Sequence, residues 1–173
     1  AAIRRRGQLR WPLAGMDAAE RAGLAPVKVN VVVMAGVNDD EVEDFAEFAR
    51  KTGRIVRFIE FMPLDAQHGW RRETVVSGDQ IVERINRRWP LLPVVPDGGD
   101  RGGSAPAERF VFADGLGEIG VVSSVTRPFC GTCDRLRLTA DGSIRNCLFS
   151  DDELSVRDLI RSGGSDEEVA SAF

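Results

Sequence analysis

Two short runs of β-branched residues, separated by one amphipathic helix, constrain this chain more than any other feature. The run Val27-Lys28-Val29-Asn30-Val31-Val32-Val33 and the run Ile55-Val56-Arg57-Phe58-Ile59-Glu60-Phe61-Met62 both have strand composition. Between them Val42, Phe45, Ala46, Phe48 and Ala49 recur at helical spacing. The turn signal Gly36-Val37-Asn38 precedes that helix, Asp39 or Asp40 can cap it, and Gly53 ends it. A strand–helix–strand of this length predicts a parallel pair joined by a right-handed crossover. Further helices are predicted over residues 12–22, 77–88 (capped by Ser77) and 155–161. Short strands are predicted at 109–112 and 119–123, and polar loops at 63–72, which holds His68, and at 96–106. The expected fold class is α/β, followed by a smaller α+β lobe.

Composition narrows the function classes. Among 173 residues no apolar run reaches the roughly 18 needed to cross a bilayer. A net charge of -4 excludes nucleic-acid binding by bulk charge. Only Lys28 and Lys51 of the 23 basic residues are lysine, so arginine abundance by itself identifies no anion site. Arg4-Arg5-Arg6 has no apolar stretch after it and does not form a secretion signal. The chain begins without Met and stops just past Asp166-Glu167-Glu168, a helix start, so it is expected to be a piece of a longer protein.

The three cysteines, Cys130, Cys133 and Cys147, all fall within 18 residues. An odd, clustered set is a poor disulfide framework and points to a reducing, cytoplasmic compartment. Asp141-Gly142 predicts a hairpin that pairs Arg137 with Asn146 and Leu136 with Cys147. Cys147 then lies about 10 Å along from Cys133, at roughly 3.3 Å per residue, and the three thiolates can converge. Structural zinc wants a fourth protein ligand; no fourth cysteine exists, and His68, distant in sequence, could supply it. A [4Fe–4S] cluster held by three cysteines keeps one iron open. Iron–sulfur, zinc and bystander thiols all stay open on spacing alone.

Two polar features adjoin this pattern. Arg135 and Arg137 point to one face of the strand leaving Cys133, and Leu136 and Leu138 to the other. Such a pair suits a polyanion, though it also suits a solvated surface. Lys28 and Asn30 likewise share one face of a strand expected to be interior. That face either lines a barrel lumen holding a ligand, the preferred reading, or lies at an exposed edge.

Together, the block at 128–149, the valine-rich strand with Gly36-Val37-Asn38-Asp39, and Arg57-Phe58-Ile59-Glu60-Phe61-Met62-Pro63 resemble the molybdenum cofactor biosynthesis protein A family. Its members are radical S-adenosylmethionine (SAM) enzymes with GTP 3′,8-cyclase activity. The resemblance implies an incomplete (βα)6 TIM-like barrel, whose last units would be residues 1–76, and a C-terminal lobe over residues 77–173. It implies that Cys130, Cys133 and Cys147 ligate a [4Fe–4S] cluster whose open iron holds the guanine. It also implies that Lys28, Arg135, Leu136 and Arg137 contact GTP, and that Met62 lines the S-adenosylmethionine site. Asn30 and Arg57 are weaker substrate candidates. Glu60 is either a group in the lumen or half of an ion pair. A second [4Fe–4S] cluster, held by a CxxxCxxC motif that this chain lacks, would generate the radical, so the chain alone is expected to be inactive. A downstream cyclic pyranopterin monophosphate synthase and a possible homodimer follow from the family. The alternatives are another radical SAM enzyme with an auxiliary cluster, or a non-catalytic zinc or iron–sulfur domain.

Overall fold

A computed structural model describes residues 9–64, 69–95, 105–150 and 153–171, so His68 and most of the glycine-rich loop at 96–106 lie outside the described residues. The chain divides into two compact units, Ala1–Phe129 and Cys130–Phe173. A boundary after residue 76 would fall inside the first unit, because strands on both sides of it share one sheet.

In the first unit the two β-branched runs form β1 (Lys28–Val33) and β2 (Ile55–Glu60), parallel and in register from Lys28 opposite Ile55 to Val33 opposite Glu60. Helix α1 (Arg10–Arg21) precedes them. Helix α2 (Val42–Thr52) joins them and ends at Gly53, whose φ of 71° is the left-handed conformation of a helix stop. It starts later than Asp39 because Asp39–Glu41 form a 3-10 turn. Helix α3 (Gly78–Arg88) opens with a capping box, Ser77 accepting from the Gln80 N–H and the Gln80 side chain from the Ser77 N–H. Then come β3 (Leu91–Pro93), β4 (Glu108–Phe112) and β5 (Glu118–Val122), in the sheet order β1-β2-β5-β4-β3. β5 runs parallel to β2, whereas β4 and β3 are antiparallel additions. β3 had no sequence signal, being three residues long and ending in Pro93, which an outer strand tolerates. β1 was expected to be interior but is the other outermost strand of this sheet.

Strand alternation builds the core. Val31, Val33, Val56, Phe58, Ile119 and Val121 are all buried. Val42, Ala46 and Ala49 of α2 and Ile81 and Ile85 of α3 are buried with them, and the two helices pack on each other. The opposite parity, Lys28, Asn30 and Val32 on β1, is exposed. Truncating the fully buried Phe58 to alanine would cost roughly 3–5 kcal/mol.

Among the described residues of this unit two charged groups are buried: Arg54, which pairs with Asp17 and Glu20, and Glu60. Glu60 ends β2 fully out of solvent. One carboxylate oxygen accepts from the Gly78 N–H at 2.8 Å and from the Thr126 hydroxyl, and the other from the Val125 and Thr126 N–H groups at 2.8 Å each. The expectation of a lumen group or an ion-pair partner is therefore corrected. Glu60 has the parity of Val56 and Phe58, on the core side, and its partners are three backbone N–H groups and a hydroxyl. Burial pushes its carboxyl up, but the Thr126 hydroxyl and the three N–H groups outweigh that and hold it below the ordinary range.

Glu60→Ala leaves three N–H donors unpaired in the interior, and a loss of roughly 3–5 kcal/mol is expected in urea unfolding. Glu60→Gln keeps one accepting oxygen and should lose less. Because the folded-state value is lowered, the carboxylate's contribution is fully present above the ordinary value of about 4.3 and disappears as pH falls through the folded value. Wild-type stability should thus fall more steeply with acid than that of Glu60→Gln; parallel acid limbs would contradict this.

Candidate functional site

Each unit carries one polar constellation. In the first, the exposed face of the sheet collects Lys28 and Asn30 from β1, Arg57 from β2, Glu118 from β5 and Arg109 from β4, all of one parity in the observed register. Arg57 lies directly opposite Asn30 and Gly120. A Cβ at Gly120 would approach the Arg57 side chain to 3.3 Å, so glycine leaves room for the arginine to lie across β5. Arg109 forms a forked pair with Glu118, both contacts 2.7 Å. That pair, then the charges of Lys28 and Arg57, hold the Glu118 carboxyl down against burial. Three cations and one carboxylate leave this face net positive, which suits an anionic ligand. Arg57 thus shares this face with Lys28 and Asn30. Met62 is half-buried in the coil after β2, so strand parity does not extend to it, and the Leu64 N–H donates to its carbonyl at 2.8 Å.

The second unit contains a three-stranded antiparallel sheet, β6 (Arg137–Leu138), β7 (Ser143–Arg145) and β8 (Leu154–Ser155), with helices α4 (Val156–Arg161) and α5 (Asp166–Ser171). Arg137 pairs with Arg145 and Leu138 with Ile144, one residue off the predicted hairpin. The turn is longer than Asp-Gly alone implies. The Gly142 N–H donates to the Thr139 carbonyl at 3.0 Å and the Thr139 N–H to the Ser143 carbonyl at 2.8 Å, enclosing three loop residues. Gly142, at φ 86°, takes the left-handed position that closes such a loop. The expected pairing of Leu136 with Cys147 is accordingly absent.

All three cysteines are reduced and exposed. Cys130 opens a 3-10 turn, Cys130–Thr132, and the Cys133 N–H donates to the Cys130 carbonyl at 3.2 Å. Cys147 follows β7, and its sulfur accepts from the Phe149 N–H at 3.4 Å. Among the described residues no three His, Cys, Asp or Glu side chains are gathered at metal-holding distance, so the convergence expected of these thiols is not seen. Their chemistry nevertheless fits a thiolate-ligated group. Arg135 Nη2 lies 3.1 Å from the Cys133 sulfur. The Arg135 backbone N–H, its guanidinium and the more distant Arg137 charge draw the Cys133 thiol below its ordinary value, towards the ligating thiolate.

The expected alternation holds along this segment. Arg135 and Arg137 are half-buried, while Leu136 and Leu138 are 51% and 74% exposed. Arg137 Nη1 is shut off from solvent with no hydrogen-bond partner among the described residues. Arg145 and Glu153, which sequence reasoning missed, form an ion pair on the other side of β7 from Arg137. Only a correct hairpin register would have revealed Arg145, by setting it opposite Arg137.

These features define an α/β protein with a separate unit in which thiols and arginines are interleaved. The profile of the Molybdenum Cofactor Synthesis C family matches residues 54–173, and the chain belongs to that family. It is 48% identical over 168 residues to the GTP 3′,8-cyclase of Streptomyces coelicolor, covering 97% of this chain and 48% of that protein. Against the GTP 3′,8-cyclase of Thermodesulfovibrio yellowstonii the figures are 48% over 169 residues, 97% and 51%. For the Rhodococcus opacus GTP 3′,8-cyclase they are 44% over 173 residues, 100% and 48%. The chain spans about half the length of these curated relatives. No helix among the described residues is long and apolar enough to cross a membrane.

The hairpin register rests on Gly142. A Cβ there would stand 2.6 Å from the Arg157 Cβ, in addition to the left-handed strain. Gly142→Ala should destabilise the second unit by roughly 1–3 kcal/mol. Hydrogen exchange checks this: the Thr139 and Gly142 amides should lose protection while those of β1 and β2 keep theirs.

Proposed function

We propose that the full-length protein containing this chain is a GTP 3′,8-cyclase of molybdenum cofactor synthesis. The observation that carries the reading is the Cys133–Arg135 pairing beside Arg137, a thiolate ligand and two cations within five residues, in a chain closely similar to cyclases of that name. On this reading residues 1–76 supply the last units of a radical SAM barrel, with Met62 beside S-adenosylmethionine. The C-terminal lobe, residues 77–173 by the resemblance, includes the compact unit Cys130–Phe173, whose three cysteines hold a [4Fe–4S] cluster. That cluster offers an iron with an open coordination position to which a purine can bind. An odd set of three cysteines clustered within 18 residues fits a cytoplasmic, reducing setting.

The protein's own residues then divide the work of binding. Arg135 favours the thiolate of Cys133 and, with Arg137, presents forked donors to the phosphates of GTP. Leu136, exposed between them, offers an apolar contact. In the first unit the net positive sheet face, with Lys28 and Arg57 and the weaker candidate Asn30, is suited by its charge to a polyanion such as GTP.

Charge-assisted hydrogen bonds contribute roughly 1.5–3 kcal/mol each. Arg137→Ala in the full-length protein should therefore weaken GTP binding by about ten- to a hundredfold. Arg137→Lys should also weaken it, since a point charge cannot replace the fork. Iron content should not change. Titration calorimetry checks this, and wild-type affinity in both Arg135→Ala and Arg137→Ala would overturn the substrate assignment.

A further inference from the structure

The ladder between β6 and β7 sets two like charges side by side. Arg137 and Arg145 are directly paired, so their side chains rise from the same face of the three-stranded sheet. Like charges directly opposite on a sheet destabilise it unless something of opposite sign stands between or beside them. Glu153 meets that need on one side only. It immediately precedes β8, in line with Arg145 on the β7–β8 register, and forms an ion pair with the Arg145 Nη2. This compensates Arg145 and leaves Arg137 without an acid: no ion pair or side-chain hydrogen bond is made by Arg137 among the described residues. Both guanidiniums also keep a donor in reserve. Arg137 Nη1 and Arg145 Nε are shut off from solvent and have no hydrogen-bond partner among the described residues. Two enclosed, unpaired N–H donors on adjacent strands of one face call for a shared acceptor, because a buried unsatisfied donor costs roughly 1–3 kcal/mol.

We propose that Arg145 and Arg137 form a two-strand clamp for the phosphate groups of the nucleoside triphosphate, with Glu153 holding the Arg145 guanidinium in place from the far side. The proposal rests on the nucleotide reading above and adds Arg145 as a specificity-determining residue, selecting phosphorylated over unphosphorylated nucleosides. The geometry assigns different roles to the arginines. Arg135 is engaged at the Cys133 sulfur, Arg137 is the free cation, and Arg145 is a cation fixed by a carboxylate. An incoming phosphate competes with Glu153 for Arg145, so Glu153 should restrain affinity while fixing position.

The test uses the full-length protein with its clusters reconstituted anaerobically, and measures the affinities of GTP, guanosine and inorganic tripolyphosphate for the wild type, Arg145→Gln, Arg137→Gln and Glu153→Gln. Arg145→Gln should weaken GTP and tripolyphosphate by roughly ten- to a hundredfold while leaving guanosine unchanged. Glu153→Gln, which keeps the side-chain size and frees the guanidinium, should tighten tripolyphosphate a few-fold, and it decides the matter if Arg145→Gln proves insoluble. Wild-type affinity for tripolyphosphate in both Arg145→Gln and Glu153→Gln, with loss only in Arg137→Gln, would overturn the clamp and leave the nucleotide reading standing. Failure of the wild type to bind GTP at all would remove both.

Discussion

The first unit depends on a single buried carboxylate. Glu60 gathers the end of β2, the first N–H of α3 and the chain at 125–126, segments separated by 18 and 66 positions in sequence. A bare charge at that depth would be prohibitive. Here three backbone N–H groups and a hydroxyl replace water, and the N-terminal end of α3 adds its dipole. Helix, strand and the approach to the cysteine segment are thereby fixed to one atom group, so the exit from β5 is as determined as the core itself.

Alternation along β2 then separates the buried core from the cationic face. Val56, Phe58 and Glu60 face the helices, whereas Arg57 faces the other way, beside Asn30 and across Gly120. The same strand therefore supplies a dry, hydrogen-bonded core and a wet, cationic surface, and neither compromises the other. In the second unit a two-residue ladder does comparable work, setting Arg137 against Arg145 by means of one glycine in a left-handed turn.

What was legible in the sequence was local. The β-branched runs, the stripe of Val42, Phe45, Ala46 and Ala49, and the Ser77 cap all encode their structure within a few residues, and the parallel pairing of β1 with β2 follows from them. Three things were not local. The donors to Glu60 come from segments far away in sequence. The Asp141-Gly142 signal is compatible with turns of two or three loop residues, and the one-residue difference changes every cross-strand partner, which hid Arg145. Met62 lies in the coil beyond β2, which ends at Glu60, so no strand register places it. The candidate residues themselves, the cysteines, Lys28, Arg135 and Arg137, were visible as residue types at particular spacings, whereas their pairings were not.

The account as a whole turns on what Cys130, Cys133 and Cys147 hold. The lowered Cys133 thiol favours a thiolate ligand without choosing its metal, and the proposed function makes that metal the iron of a cluster. Because this chain has only three cysteines, its metal content reports on that set without interference. The decisive measurement is iron, zinc and acid-labile sulfide in the chain purified anaerobically. The account predicts about four iron and four sulfide per chain, as in a [4Fe–4S] cluster, with loss of both in Cys147→Ser. Stoichiometric zinc without sulfide would contradict it.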